Sequence, residues 1–172
     1  MIKKIKNQQP TVTNAFWLTA SFILIVWSIT LLPVEGGIHI KNFYVASSFQ
    51  NIEMVRYVSM RLVEKGLIHT YDWTKNERAS TIEDLMEIGI QEKNAVLNSD
   101  FVIVLLPAGK GSHIEFGLAL GGEKKIYLYS ACDDINNFEN TSTFYHLSSV
   151  EKYIGTIDGL IDKIIMNQMP FN

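Results

Sequence analysis

An uncharged stretch near the N-terminus constrains the fold of this chain more than any other feature. It runs from Ala15 to Val34 and reads AFWLTASFILIVWSITLLPV. A helix of this length rises about 30 Å, which matches the hydrocarbon core of a bilayer. No A-x-A-like cleavage site follows the stretch, and it lacks the polar face of a core helix. We therefore expect an uncleaved transmembrane helix over residues 15–34, preceded by a basic tail over residues 1–14.

The basic residues next to this stretch and the chemistry of the remaining chain favour opposite sides of the membrane. Lys3, Lys4 and Lys6 precede the span, and the positive-inside rule places such an N-terminus in the cytoplasm. That orientation puts the globular part outside the cell, whereas nucleotide chemistry, inferred below, favours the cytoplasm. We expect a single-pass protein of the cell membrane and leave the side of its globular domain open.

The charge and cysteine content of the remaining chain exclude several functional classes. With residues 1–35 set aside, 12 basic and 17 acidic residues remain, a net charge of −5. Such an acidic domain is not expected to bind nucleic acid. The single Cys132 excludes an internal disulfide framework and a cysteine-based metal site. The histidines show no ligand spacing, so we expect neither a metal nor another cofactor.

Strand-like and helix-like segments alternate over residues 38–172, which are long enough for one domain. Runs rich in β-branched and aromatic residues predict four strands: Ile38–Ser47, Leu67–Trp73, Phe101–Leu106 and Lys125–Ser130. Helical periodicity and caps predict helices from Ile52 to Gly66, from Ser80 to Asn98, from Ser112 to Gly121 and from Ile157 onward. The alternation predicts an α/β fold of the flavodoxin-like or Rossmann-like type, a parallel sheet with helices on both faces. Ligands of such sheets bind at the carboxyl ends of the strands.

A glycine-rich turn after the third predicted strand carries the strongest local signal. It reads PAGKGSHIEFGLAL from Pro107 to Leu120. Backbone N–H groups at such a helix start can hold an anion such as a phosphate, although the P-loop spacing is absent. We expect Glu115 in the first helical turn, where the helix dipole keeps a nucleophile ionised. The alternative is a capping box in which Glu115 only binds the N–H of Ser112, and spacing alone favours that cap.

Three features in sequence order resemble a known family. The first strand ends FYVASS over Phe43–Ser48, Glu92 precedes Asp100 by eight positions, and Gly111–Ala119 reads G-x-x-x-E-x-G-x-A. This order resembles the nucleoside 2-deoxyribosyltransferase superfamily, which includes 2′-deoxynucleoside 5′-monophosphate N-glycosidases. The resemblance covers most of residues 40–130. It implies an enzyme that cleaves or transfers the N-glycosidic bond of a deoxynucleoside or nucleoside monophosphate, and the predicted transmembrane helix would anchor this enzyme to the membrane.

The resemblance also implies roles for individual residues. Glu115 matches the family's nucleophile, which attacks C1′ of the sugar, and Tyr44 matches a tyrosine that positions it. Glu92 stands where the family usually has an aspartate near the leaving base, and Asp100 completes the candidate catalytic set. The chain end, Met169–Asn172, lacks the family's C-terminal tyrosine, which favours hydrolysis over transfer.

Several further residues are candidates for substrate binding. Ser47, Ser48, Gly111 and Ser112 lie where the monophosphate hydrolases hold a 5′-phosphate. Asp72, Trp73 and Arg78 follow the second strand, where Trp73 could stack on a base and Arg78 could meet a phosphate. The alternative has Asp72 capping a turn and Arg78 solvated. His113 is either a general acid at the leaving base or an exposed loop histidine.

These residues leave three functions open. The first is the N-glycosidase, with a small-molecule nucleoside or nucleotide as its substrate. The family builds its site near a subunit interface, so the resemblance also implies a homodimer. The second is a TIR-like NAD glycohydrolase, by analogy of fold alone. The third is a membrane-tethered nucleotide sensor without catalysis, in which Glu115 is a helix cap.

Overall fold

Five parallel strands form one sheet in the computed structural model, which describes residues 40–169. The strands are β1 (Asn42–Ser47), β2 (Ile68–His69), β3 (Phe101–Leu105), β4 (Lys125–Ser130) and β5 (Val150–Ile154). Their spatial order is β2-β1-β3-β4-β5, and every neighbouring pair is parallel. The predicted parallel α/β sheet is confirmed, and its order is the flavodoxin-like one.

Four helices connect and cover these strands. They are α1 (Ile52–Glu64), α2 (Ile82–Leu97), α3 (Lys110–Gly121) and α4 (Ile157–Gln168). Helix α1 packs beside α4, and α2 packs beside α3. The chain leaves β1 in one direction to reach β2 and returns past it to reach β3. Right-handed crossovers therefore put the two helix pairs on opposite faces of the sheet.

The centre of the sheet is also the centre of the core. All five residues of β3 are buried, as the continuous apolar sequence FVIVL predicts for a strand covered on both faces. Strand β1 lies beside it in register, with Ser47 opposite Leu105 at their carboxyl ends. Burying each large apolar side chain here contributes about 1.5–3 kcal/mol, so the β1–β3 pair is a rigid base for the loops at its carboxyl end.

The carboxyl ends of β1 and β3 mark the topological switch point. From β1 the chain turns toward one edge of the sheet, and from β3 it turns toward the other edge. The adjoining loop segments, Ser48 after β1 and Leu106–Gly109 before α3, therefore border a crevice. This is the edge at which the sequence analysis expected the ligand.

Strand β2 and helix α2 have boundaries other than those predicted, and the fifth strand was not predicted. Strand β2 ends at His69, and Trp73 lies in a short 3₁₀ helix because the Asp72 side chain accepts the N–H of Thr74 and turns the chain. Helix α2 begins at Ile82 rather than at Ser80, because Thr81 is its N-cap and forms a capping box with Asp84. The fifth strand was missed, because its sequence VEKYI mixes charged and apolar residues as a half-exposed edge strand does.

Two predictions concern residues that the structure does not describe. The predicted transmembrane helix over residues 15–34 and the basic tail over residues 1–14 both lie outside the described range. No helix within residues 40–169 combines the length and the hydropathy that a membrane span requires.

Candidate active site

A buried tyrosine and a buried glutamate form the centre of the site. Tyr44 projects from the middle of β1 and is fully buried, and Glu115 on α3 is only 7% exposed. The Tyr44 hydroxyl donates a hydrogen bond to Glu115 Oε1 over 2.8 Å. The two residues are 71 positions apart in sequence, so only the packing of α3 on the sheet brings them together. Their pairing matches what the resemblance implied for a nucleophile and the tyrosine that positions it.

The surroundings of Glu115 make its charge costly. Burial raises the pKa of the Glu115 carboxyl to about 7, although the hydrogen bond from Tyr44 lowers it. The neighbouring Glu92 raises it further by charge repulsion. Burial and the Glu115 carboxyl also raise the pKa of Tyr44 far above its usual range, so Tyr44 stays protonated as a donor. The Glu115 carboxyl is therefore about half ionised near neutral pH.

The start of α3 corrects the expected electrostatics of Glu115. The helix begins at Lys110 rather than at Ser112, so its first turn contains no acidic residue and Glu115 lies in the second turn. The dipole acts mainly within the first turn, and burial dominates at Glu115 instead. The expectation that the helix start keeps this carboxylate ionised is therefore wrong.

The same boundary removes the capping interpretation of Glu115. Gly109 is the N-cap of α3, and Ser112 Oγ accepts the Gly109 N–H over 3.2 Å. Ser112 thus does the capping that the sequence pattern suggested for Glu115. The Glu115 carboxyl faces Tyr44 instead. A buried carboxyl that does not cap its helix is left for another role.

An open cavity of about 690 Å³ lies one helical turn along α3 from Glu115, and neither Glu115 nor Tyr44 belongs to its lining. Gly111 lines it, and Gly111 precedes Glu115 by one helical turn, so both are on one face of α3. Glu92 lines the cavity from α2, and burial raises its pKa as well. We call this space the Trp73 cavity. Its lining residues are Phe49, Ile52, Trp73, Asn76, Glu77, Arg78, Ala79, Leu85, Ile88, Gly89, Glu92 and Gly111.

Aromatic rings form one wall of the Trp73 cavity. The Trp73 indole N–H donates to the Val45 carbonyl over 2.8 Å, which fixes the ring beside β1. Phe49 packs edge-on against it at 5.5 Å and is 76% exposed. Sequence analysis did not single out Phe49; an aromatic residue directly after the first strand was the available signal. A fixed aromatic wall suits the face of a nucleobase.

The remaining candidates after β2 separate into two roles. Arg78 is exposed and lines the Trp73 cavity, as a phosphate or base contact requires. Asp72 caps a turn instead: it accepts the Thr74 N–H and hydroxyl and pairs with Lys75 at 3.2 Å. Both Asp72 oxygens already have partners, which favours the turn-capping alternative for this residue.

The serines at the switch point also differ. Ser47 donates its hydroxyl to the Leu105 carbonyl and accepts from Asn51, so it holds β1 to β3. Ser48 Oγ is buried and has no hydrogen-bond partner among the described residues. Gly109, the N-cap of α3, lies so close that a Cβ there would be 3.7 Å from Ser48 Cβ. Ser48 thus faces the helix start with an unused hydroxyl.

Two predicted site residues lie elsewhere. Asp100 precedes β3, where its carboxylate accepts the Asn42 N–H over 2.7 Å, at the amino end of the sheet. A role for it in catalysis beside Glu115 is not supported, because the length of β3 separates the two. His113 points away from Glu115, since two residues along a helix turn about 200°. Its ring nitrogens meet the Gly109 carbonyl and the Tyr145 hydroxyl, each at 2.7 Å.

The cavity residues do not resemble a metal site. Within residues 40–169, no three His, Cys, Asp or Glu side chains converge as metal ligands. The arrangement instead offers a carboxyl of raised pKa, a fixed hydroxyl donor, a second carboxyl and an aromatic wall. This combination is suited to nucleophilic attack on a substrate that carries a flat leaving group.

Comparison with known proteins supports the fold. No family model and no curated protein sequence matches the chain. Among solved structures, the Clostridium botulinum CMP N-glycosidase BcmB matches with a TM-score of 0.54 and 20% identity, over 74% of this chain and 99% of that one. The solution structure of BlsM matches with a TM-score of 0.50 and 14% identity, over 76% and 95%. The fold implied by the resemblance to the nucleoside 2-deoxyribosyltransferase superfamily is thereby confirmed, and the chain shares it with an N-glycosidase.

Proposed function

We propose that this protein is an N-glycosidase that hydrolyses the N-glycosidic bond of a nucleoside monophosphate or deoxynucleoside. The single observation that carries the proposal is the buried 2.8 Å hydrogen bond from Tyr44 to Glu115 beside an open cavity. A buried carboxyl that caps no helix and accepts one hydrogen bond destabilises the fold when it is ionised, so a structural role does not account for it. The CMP N-glycosidase that shares the fold supports a nucleotide as the substrate.

Glu115 acts as the nucleophile in this proposal. The ionised carboxylate attacks C1′ of the sugar, the bond from C1′ to the base breaks, and the base leaves with the bonding electron pair. Water then attacks C1′ of the resulting ester and gives one proton to the carboxyl group that had protonated the base; Glu115 leaves as the carboxylate, and the configuration at C1′ is retained. The hydrogen bond from Tyr44 holds one carboxyl oxygen in place, so the other is oriented for attack.

Glu92 supplies the proton that the departing base needs. Burial raises its pKa, so a larger fraction of Glu92 is protonated near neutral pH than for an exposed glutamate. It lines the Trp73 cavity, where the aromatic wall would receive the base. The glutamate in place of the family's aspartate keeps the carboxyl chemistry and extends its reach by one methylene.

The phosphate of a nucleotide substrate would bind at the start of α3. Helix N-termini present free N–H groups and a favourable dipole to anions. Ser48 lies beside this helix start, and its buried hydroxyl makes no hydrogen bond to a described residue, which supports an anion at this position. Arg78 at the cavity wall adds a positive charge. We therefore favour a 5′-monophosphate over an uncharged nucleoside.

Membrane attachment and self-association belong to the same proposal. Residues 15–34 would anchor the domain, and resistance of the full chain to alkaline extraction from membranes would test the anchor. Helix α2 exposes Ile82, Leu85, Met86 and Ile90, an apolar surface that a second copy would cover. A monomeric mass for the detergent-solubilised chain in light scattering would contradict the dimer.

A substrate panel tests the activity and separates it from the alternatives. The full chain is incubated at pH 8 with CMP, dCMP, their nucleosides and NAD, and free base is followed by chromatography. We expect base release from a monophosphate, and a loss of about 10⁴-fold in Glu115→Gln. Glu64→Gln, an exposed glutamate at the end of α1, is the matched control and should keep full activity.

Each other outcome of the panel rejects the proposal in a definite way. Nicotinamide release from NAD alone would favour the TIR-like glycohydrolase. A nucleotide that raises the melting temperature without any product would favour the sensor. Base release that persists in Glu115→Gln would remove Glu115 as the nucleophile.

A further inference from the structure

A second cavity lies on the other side of α3 and shares no residue with the proposed catalytic machinery. It encloses about 420 Å³ at the carboxyl ends of β3 and β4, which is within the size range of small-molecule sites. It also has no lining residue in common with the Trp73 cavity. We call it the Tyr145 cavity, after the buried tyrosine in its wall.

The walls of the Tyr145 cavity are flat and rigid. The His113 and Tyr145 rings lie nearly parallel, with an angle of 21° between planes and 6.1 Å between centroids. Gly109 O can only accept, so His113 Nδ1 donates to it, and His113 Nε2 meets the Tyr145 hydroxyl, each over 2.7 Å. Both ring nitrogens thus have partners, which fix the orientation of the imidazole. Ile135, Leu106 and Pro107 complete the apolar surface.

The polar groups at this cavity have unused hydrogen-bonding capacity. Ser130, at the end of β4, is buried, and its hydroxyl oxygen receives only a long contact of 3.4 Å from the Cys132 N–H. Asp134 Oδ2 accepts the Cys132 thiol at 3.1 Å, and no other hydrogen bond reaches this carboxylate from the described residues. The Asn140 carboxamide likewise makes no hydrogen bond to a described residue. Acceptors thus outnumber donors around the opening.

The charge of the lining determines which ligands fit. The lining contains the Asp134 carboxylate, and no lysine or arginine belongs to it among the described residues. A phosphate or carboxylate ligand would meet repulsion without compensation. A flat, uncharged ring with N–H donors would place its faces against the apolar walls and its N–H groups on Asp134 and Asn140.

We propose that the Tyr145 cavity binds a free nucleobase, an uncharged planar heterocycle with N–H donors. Binding follows from the lining alone; the identification of this base as a product of the same protein rests on the proposed function. Helix α3 carries Glu115 on one face and His113 on the other, so the two cavities adjoin one helix. A base bound beside His113 would therefore contact the same helix that carries Glu115, next to the site that released the base.

The only cysteine of the chain provides a direct test, since Cys132 lines the Tyr145 cavity and is exposed. The full chain carrying Glu115→Gln, which cannot turn over substrate, is alkylated with N-ethylmaleimide, and the modified fraction is followed by mass spectrometry. Cytosine and adenine are the probes, and ribose 5-phosphate is the anionic control. At ten times its dissociation constant, a base should slow alkylation about tenfold, because about a tenth of the sites stay free. Ribose 5-phosphate should leave the rate unchanged.

Two variants locate the bound base. In Asn140→Ala, about ten times more base should be needed for the same protection of Cys132, because one hydrogen bond to the base is lost. Asn167→Ala on α4 is the matched control and should have no effect. Bases that give no protection would overturn the proposal. So would protection that survives Asn140→Ala and disappears in Gly111→Leu, because the base would then occupy the Trp73 cavity. If protection holds while the substrate panel yields no base, the site stands and the proposed glycosidase does not.

Discussion

Asp72 and Glu115 are two carboxyl groups that follow strands at the same edge of the sheet, and their surroundings are opposite. Asp72 receives two hydrogen bonds from Thr74 and an ion pair from Lys75. Although burial raises the pKa of Asp72, these contacts outweigh it and lower the pKa overall. Glu115 receives one hydrogen bond from Tyr44, and burial raises its pKa to about 7.

The difference separates a carboxylate whose charge the fold stabilises from one whose charge the fold disfavours. The contacts of Asp72 stabilise its charge, and the charge in turn holds a turn in shape. Glu115 lies in a space where its charge is poorly compensated, so the folded protein tolerates that charge rather than depending on it. Substitutions at and around the two carboxyls can break or sharpen this contrast.

After the loss of Glu115 itself, the largest effect is expected from filling the Trp73 cavity next to it. A Cβ at Gly111 would have nothing within 4 Å, so Gly111→Leu should fold normally and place its side chain in the Trp73 cavity. We expect kcat/KM for base release to fall about a hundredfold through displacement of the substrate. Gly117→Leu, also on α3 and also without contacts at its Cβ, is the matched control. Equal losses in both variants would mean that the Trp73 cavity does not hold the substrate.

Removing the one donor to Glu115 should have the next largest effect. Tyr44→Phe deletes a hydrogen bond to a carboxylate, and we expect kcat/KM to fall about 10- to 100-fold. That bond lowers the pKa of Glu115, so the midpoint of the pH–rate profile should move upward. The deficit should therefore be larger at pH 6.5 than at pH 8.5. A deficit independent of pH would show that Tyr44 does not act through the ionisation of Glu115.

The stability of the fold should respond to Glu115 in a direction unusual for a carboxylate. Its pKa in the folded protein is raised from 4.5 to about 7, so the folded state holds the proton more tightly than the unfolded chain does. The stabilising contribution is complete below about pH 4.5 and is lost as the pH rises through 7. Above pH 7 the ionised carboxylate costs on the order of 3 kcal/mol. Glu115→Gln should therefore unfold at higher urea concentration than the wild type at pH 8, with little difference at pH 4.5; a less stable variant at pH 8 contradicts the argument.

Asp72 should show the opposite and smaller response. Its pKa is lowered on folding, so its stabilising contribution is present at neutral pH and is lost as the pH falls through the folded-state pKa. Asp72→Ala should lower the free energy of unfolding by about 1 kcal/mol at pH 7, because the cap is lost. It should change kcat/KM by less than about threefold, because Asp72 takes no part in the proposed reaction. Urea unfolding measures the first and the base-release assay the second. A large loss of activity with unchanged stability would return Asp72 to the substrate site.

Much of the fold follows from local sequence patterns. The uninterrupted FVIVL of β3 specified a strand buried on both faces, and KIYLYS specified β4 with both of its ends. The missed β5 shows where such reasoning stops: VEKYI becomes a strand because β4 offers it a partner, and its own alternation of charge and apolarity is weak. Local patterns also do not predict boundaries that depend on one side chain, such as the turn that Asp72 forms before Trp73.

The candidate site divides in the same way. The order of Tyr44, Glu92 and Glu115 in the sequence carried the resemblance, and the structure places Glu92 close enough to raise the pKa of both Tyr44 and Glu115. Asp100 and His113 stand in equally suggestive positions along the chain, yet strand direction and helix rotation carry them elsewhere. Phe49 completes the aromatic wall although its sequence context is ordinary, because contact with Trp73 arises only when the two loops meet.

The sequence by itself determined the class of fold, the uncharged N-terminal stretch and the residue types available for chemistry, because periodicity and charge act between near neighbours. Tertiary structure alone decided which carboxyl has a raised pKa. The pKa of Glu115 depends on removal from water and on a hydroxyl that is 71 positions away in sequence, and neither exists until α3 packs on the sheet. The capping pattern around Ser112 and Glu115 had favoured a structural role on spacing alone, since spacing reports only what one helix can do with its own backbone.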